Sequence, residues 1–235
     1  MNRKSGWLRQ SKVDVILQKK IIKSMKVLHI DSSVRNERSV SKELSALFIK
    51  QLMENHDQVE VDYLDLAEHT PAHPTALFIR ANYTPEEERS FEMIVELTES
   101  EVLVDRMLAA DAYIIGMPMY NFSVPSIFKA FIDNIVRINR TFKMGAHGVD
   151  GLLLNKKVVV INTRGVDFNN GNMESMDQLR PYLKAIFAFM GITDLTFINV
   201  SPVQFSEAVA RENAINRAKD EIIRIAESFT INTAE

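Results

Sequence analysis

The feature that most constrains this chain is a change of hydrophobic period that repeats along its length. Lys26-Val27-Leu28-His29-Ile30 is a short apolar run, the pattern of a strand covered on both faces. After the polar loop Asp31 to Ser41, residues Leu44, Leu47, Phe48, Gln51 and Leu52 recur at helical spacing. Val59 to Leu66 alternates as a second strand. Residues 67–85 hold Pro71, Pro74 and Pro85 and read as a long excursion. Glu86 to Ala110 is predicted helical, with Phe91, Ile94, Val95, Leu97, Val102, Leu103 and Leu108 on its apolar side. Strands follow at Asp111–Met117, Lys157–Thr163 and Leu195–Val200. Helices are predicted over Pro125–Ile138, Pro181–Met190 and residues 206–229, and residues 143–155 read as a glycine-rich loop. Strands alternating with helices give an α/β fold, a doubly wound five-stranded parallel sheet with helices on both faces. In such sheets ligands sit beyond the carboxyl ends of the strands, near the point where the strand order reverses. The loops after the first, third and fourth strands are therefore the candidate site.

Composition narrows the chemistry. Of 235 residues, 46% are hydrophobic and 25% charged, enough to bury a sizeable core. With no cysteine, disulfides, thiolate metal sites and cysteine nucleophiles are excluded, and a reducing, cytoplasmic setting is the expectation. No apolar run approaches the roughly 20 residues needed to span a bilayer. The formal charge of −3 argues against nucleic acid as the main partner. Residues 1–24 stand apart. They carry seven Lys or Arg against a single Asp14, and their +6 leaves residues 25–235 at −9. We expect this basic extension to lie outside the fold, with Met25 as the natural first residue and one domain over 25–235.

Three loops carry the site. The first offers Ser32, Ser33, Ser39 and Ser41 ahead of a helix, and hydroxyls with a helix N-terminus suit a phosphate. Ordinary N-capping by serine reads equally well there. The pattern is neither a P-loop nor the glycine fingerprint of a dinucleotide fold. The third-strand loop, Pro118-Met119-Tyr120-Asn121-Phe122, opens a helix. Its Tyr and Asn are poor core choices, and its backbone amides suit the polar edge of a flat ring. In the fourth, Thr163-Arg164-Gly165-Val166, the glycine permits close approach of backbone to a ligand.

With these motifs in this order, the chain resembles the FMN-dependent NADH-azoreductases, also called NADH:quinone oxidoreductases, from about Met25 to Phe229. Met119-Tyr120-Asn121-Phe122 resembles that family's flavin loop, Ser32-Ser33 with Ser39-Val40-Ser41 its phosphate loop, and Thr163-Arg164-Gly165 its loop beside the isoalloxazine. Pro181-Tyr182-Leu183 through Asp194 resembles the helix and turn that follow. The resemblance implies a flavodoxin-like FMN-binding domain. Ser33, Ser39, Val40 and Ser41 would hold the phosphate. Met119, Tyr120, Asn121, Phe122, Thr163, Arg164, Gly165 and Val166 would frame the flavin. Val40, Val166 and Met144 depart from residues common in the family, the last near the substrate.

The resemblance also implies NADH as donor, a quinone or azo compound as acceptor, and a homodimer with sites at the interface, where Phe142 and Phe189 would supply apolar walls. The flavin carries the hydride chemistry, so no catalytic side chain is expected and ping-pong kinetics follow. The alternative is a flavodoxin-type electron carrier that binds FMN with no small-molecule substrate of its own. The excursion and the 143–155 loop, which can wall a substrate pocket, favour the enzyme. His69 and His73 flank Pro71 without a third ligand, so no metal is expected. Asp133, Arg137 and Arg140 read as surface or interface charges.

Overall fold

In a computed structural model the protein is described for residues 24–35, 37–168 and 171–231. Nearly all of the predicted basic extension lies outside these residues. Five strands form one parallel sheet: β1 (Met25–Asp31), β2 (Val59–Asp65), β3 (Ala112–Pro118), β6 (Lys157–Thr163) and β7 (Asp194–Val200). Their order is β2-β1-β3-β6-β7, and every neighbouring pair is parallel. The expected fold class is the observed one.

Alternation along β1 builds two cores, since successive strand side chains point to opposite faces. Met25 and Val27 join Ile114, Val159 and Ile198 beneath α1 (Val40–Asn55) and α6 (Ala208–Glu227), which contribute Leu44, Phe48, Leu52, Ala218 and Ile222. Leu28 and Ile30 join Ile115 and Val160 on the other face. There α3 (Phe91–Ala109), α4 (Ser126–Ile135) and α5 (Leu179–Phe189) supply Leu103, Met107, Phe128, Phe131, Leu183 and Phe187. The switch point falls between β1 and β3. The loop after β1 enters a helix on one face, and the loop after β3 enters a helix on the other, which opens a crevice at the carboxyl edge.

Three expectations change. The excursion at 67–85 contains α2 (Ala76–Tyr83), whose Thr75 hydroxyl accepts the Phe78 N–H at 3.0 Å as an N-cap. The predicted helix over Glu86–Ala110 is a 3₁₀ turn at Glu86–Glu88 followed by α3, because Ser90 caps a new start by accepting from Met93 N–H. The predicted loop at 143–155 holds a hairpin, β4 (Phe142–Gly145) antiparallel to β5 (Gly148–Gly151). Gly148, at φ 134°, serves its turn. A Cβ on Gly151 would lie 2.1 Å from Gly191 N, so glycine there lets the hairpin seat on the end of α5.

Asp133 and Arg140 are surface charges, paired with Lys129 and with Glu101 and Asp105. Arg137 is not: it is 0% exposed. Its Nε donates to Asn82 Oδ1 at 2.8 Å, its Nη2 to Glu101 at 2.7 Å, and its Nη1 to Ser100 Oγ. Ser100 Oγ in turn donates to Asn134 O at 2.6 Å. Burial pushes the guanidinium below its ordinary value, opposed by Glu101. The fork thus ties α2, α3 and the end of α4 together through groups that would otherwise be buried without partners. We expect Arg137→Ala to destabilise the fold by on the order of 3 kcal/mol in urea denaturation. A loss within about 0.5 kcal/mol, the size of a surface substitution, would show that the network contributes little.

Candidate functional site

The carboxyl ends of β1, β3 and β6 open into a cavity of about 750 Å³, within the size range of ligand pockets. Ser33, Ser39, Val40, Ser41, Met119, Tyr120, Asn121, Thr163 and Gly165 line it together. Three loops far apart in sequence therefore meet at one place, where the fold puts ligands.

The hydroxyl-rich end is built on the start of α1. Ser39 is the N-cap, its Oγ 3.5 Å from Lys42 N and 3.2 Å from Ser41 Oγ. Glu43 N–H bonds to Ser39 O. Among the described residues, the N–H groups of Val40 and Ser41, in the first turn, have no backbone acceptor. Ser32 is held away from the cavity, donating through its N–H and its Oγ to Gly116 O at 3.0 and 3.3 Å.

The β3 loop is a tight turn. Tyr120 and Ser123 exchange N–H to carbonyl bonds, both at 3.0 Å. Asn121 (φ 47°) and Phe122 (φ 69°) between them are left-handed. Asn tolerates this region, whereas an aromatic there stores strain of about 1–3 kcal/mol. Met119 N–H bonds to Thr163 O at 2.8 Å, holding the β3 and β6 loops side by side. Gly165 lies against Phe205, whose ring carbons would be 3.1 Å from an added Cβ.

Phe122, Arg164 and Val166 do not line the cavity. The Phe122 ring packs edge-on against Phe168, centroids 6.2 Å apart. Arg164 is buried and donates to Asp177 Oδ2 at 2.8 Å; desolvation lowers its pKa, opposed by Asp177. Conversely, Arg35, Arg38, Pro118, Val203, Gln204, Phe205 and Arg211 line the cavity unpredicted. Arg35 and Arg38 lie inside the predicted phosphate loop and were legible there as anion donors. Val203 to Phe205 and Arg211 follow β7, a loop that carries no motif and reaches the site only because β7 pairs with β6.

Met144 and Phe189 are exposed, while Phe142 is buried against Phe189 within one chain, centroids 4.7 Å apart. That corrects Phe142 as an open wall. His69 and His73 are exposed, and no cluster of metal-ligating residues occurs among the described residues. A second cavity of about 610 Å³, between Asn82–Arg89, α3 and Ile138–Arg140, contains none of the predicted residues.

A family model described as "Flavodoxin-like fold" matches residues 25–225. The FMN-dependent NADH:quinone oxidoreductase of Nostoc punctiforme is 44% identical over 193 residues, 82% of this chain and 94% of the relative. The chain belongs to the FMN-dependent NADH:quinone oxidoreductase family. A second member, FMN-dependent NADH:quinone oxidoreductase 1 of Trichormus variabilis, is 41% identical over 209 residues, 89% of this chain and 99% of that one. Among solved structures, an azoreductase from Bacillus anthracis superposes with a TM-score of 0.81 at 23% identity, covering 87% of this chain and 100% of its own. An FMN-dependent NADH-azoreductase from the same species, solved with FMN, gives 0.75 at 24% identity, covering 86% and 99%. These two share the fold.

Near the carboxyl end of β3, Gly116 permits the close approach of α1 to the sheet. A Cβ there would lie 2.2 Å from Asp31 Oδ1, 2.7 Å from Ser45 Oγ and 3.0 Å from Ser41 O. We expect Gly116→Ala to cost about 1–3 kcal/mol, as overpacking of a core does. The strain should be relieved by Ser45→Ala in the same chain, measured as a non-additive double-mutant cycle. Strict additivity would show that the Ser45 hydroxyl is not the displaced group.

Proposed function

We propose that the 750 Å³ cavity holds FMN and that the protein passes hydride from NADH to quinones and azo compounds. The observation that carries this reading is the meeting of a hydroxyl-lined helix N-terminus with the Met119-Tyr120-Asn121 and Thr163–Gly165 loops in one cavity. The residues present fit the group. Free N–H groups at Val40 and Ser41, with the hydroxyls of Ser39 and Ser41, suit a phosphate at the positive end of α1. The turn at Tyr120–Ser123 leaves the Asn121 and Phe122 amides without backbone acceptors among the described residues. Gly165 keeps the β6 loop low.

When bound, FMN supplies the hydride chemistry between donor and acceptor. The chain's own part is to bind, orient and exclude water. Among the described residues no Asp, Glu, His or Lys lines the cavity, so none of those types is poised there to move a proton. Donor and acceptor then use the same space in turn. An electron carrier would need an acidic docking face at this mouth, and the lining instead holds arginines. We place the protein in the cytoplasm, and no helix among the described residues is long and apolar enough to cross a membrane.

Purified protein with NADH and a soluble quinone should oxidise NADH, with parallel double-reciprocal lines as the quinone is varied. An azo dye should replace the quinone. Intersecting lines would rule out the shared space, and no NADH loss with either acceptor would overturn the reading.

The proposed homodimer is supported by α3, which carries two apolar stripes. Leu97, Leu103, Val104 and Met107 are buried within the chain. Phe91 (76% exposed), Ile94, Val95 and Val102 face outward, and Ile79 and Tyr83 of α2 are exposed as well. A second apolar stripe on a helix that already buries one is the mark of a subunit interface. Light scattering at micromolar concentration should give about twice the chain mass of 26.8 kDa; a mass near one chain would refute the dimer.

A further inference from the structure

The loop after β7 sets an uncovered aromatic ring against the cavity. Phe205 is 75% exposed, and it lines the cavity beside Gly165, Val203 and Gln204. Its backbone is not free to carry the ring away. Val203 N–H bonds to Arg164 O at 2.9 Å, and the N–H groups of Gln204 and Phe205 share Gly165 O at 3.3 and 3.0 Å. Val203 packs against the core beneath α1 and α6, and its carbonyl accepts from Arg211 Nε of α6 at 3.0 Å. The loop is therefore laced to the β6 loop and to a helix at once.

Gly165 completes the arrangement. A Cβ there would lie 3.1 Å from Cδ2 and Cε2 of the Phe205 ring, inside the optimal separation of two carbons. The missing side chain thus makes room for the ring, which rests on the β6 loop and leaves most of its surface open. Strand order fixes which wall this is. β7 lies on the far side of β6 from β3 and β1. The serine turn after β1 and the Tyr120 turn after β3 therefore approach from one flank, and Phe205 from the other. Among the described residues, Tyr120 and Phe205 are the two aromatic side chains that line the cavity.

We propose that Phe205 determines acceptor specificity: its ring packs against a second aromatic ring of the acceptor, so that two-ring acceptors, naphthoquinones and diaryl azo compounds, are preferred to one-ring quinones. The inference rests on the reading that flavin and acceptor occupy this cavity. A one-ring quinone needs only the space beside the reacting group. A second ring adds apolar surface, which gains affinity only where the pocket meets it with apolar surface of its own. Much of the remaining lining is hydroxyl, amide or guanidinium. Phe205 supplies a face and an edge, the two surfaces that aromatic pairs use. Because its backbone is already fixed, the contact costs little ordering.

Naphthoate and benzoate carry the same charge, differ by one ring and accept no hydride. In equilibrium dialysis against the FMN-loaded full-length protein, the wild type should bind naphthoate about tenfold more tightly than benzoate. Phe205→Ala should bind the two about equally, with benzoate affinity and FMN content unchanged. Phe205→Trp, which keeps an aromatic face, should retain the preference. In stopped flow, Phe205→Ala reduced by NADH should react with naphthoquinone about tenfold more slowly than the wild type does. Its rates with benzoquinone and its own reduction by NADH should be unchanged. A wild type that binds both carboxylates alike would overturn the proposal. So would a naphthoate preference that survives in Phe205→Ala, or equal losses for one-ring and two-ring compounds. Loss of FMN from Phe205→Ala would also overturn it, by making the ring a cofactor contact. A wild type that takes up no FMN would overturn the flavin reading itself, and this inference with it.

Discussion

The placement of α1 over the carboxyl edge of the sheet governs everything at the site, and a buried carboxylate holds it there. Asp31, the last residue of β1, is 2% exposed. It accepts from Ser45 Oγ of α1 at 2.7 Å and from Tyr63 OH of β2 at 3.0 Å. Lys42 of the same helix pairs with Asp65 at the end of β2. Two acids at adjacent strand ends thus grip two successive turns of one helix. The phenol pays part of the cost: burial first, then Asp31, raises the Tyr63 pKa, so its proton stays in place to donate. A carboxylate buried this deeply requires its partners. The geometry admits no Cβ at Gly116 and leaves the first turn of α1, with its unpaired N–H groups, directed at the cavity.

The strands were legible in the sequence for a physical reason. β1, β3 and β6 are interior strands covered on both faces, so their apolar runs have few other uses. The cavity was legible in the same way, since twelve of its lining residues belong to the three loop segments that the strand order picks out. What escaped reading was short or ambiguous. The strands β4 and β5 have four residues each, too few for a period to show. The helix α2 has eight residues in a stretch punctuated by prolines. Arg137 and Arg211 look alike in sequence, each a charge at a helix. One is sealed inside a polar network, and the other lines the cavity. Tertiary neighbours decide between such fates, and a single sequence does not contain them.

The outward stripe on α3 shows the same limit from the other side. Phe91, Leu97 and Val102 are equally apolar on a helical wheel, yet Leu97 is buried while the other two are exposed. A helix hydrophobic on two faces must satisfy two surfaces. In one chain only the first finds its partner, through Phe78 and Ala81 of α2 and the main core. The proposed site and the proposed interface would then be linked, because Arg137 fixes α2 and α3 to the end of α4, the helix that the β3 loop begins.

Phe122 and Arg164 belong to the motifs most like the family's and yet stay out of the cavity, and together they explain how a strained turn is kept. Asp177 accepts from Arg164 through one oxygen, at 2.8 Å. Through the other it accepts the N–H groups of Leu179 and Arg180 at 3.1 and 3.2 Å, capping α5. The next residue, Gln178, donates its N–H to Phe122 O at 3.0 Å. Arg164 also stacks over Phe168, 5.6 Å from its centroid, and Phe168 meets the Phe122 ring. The β6 loop, the start of α5 and the β3 turn are therefore one joint. Strain of the size stored by an aromatic in the left-handed region persists only where surrounding contacts over-determine it, and this joint supplies two of them, a backbone hydrogen bond and a ring contact. The residues that frame the cavity are aimed by residues that never reach it, so a motif can be intact in sequence while half of its members act as scaffold.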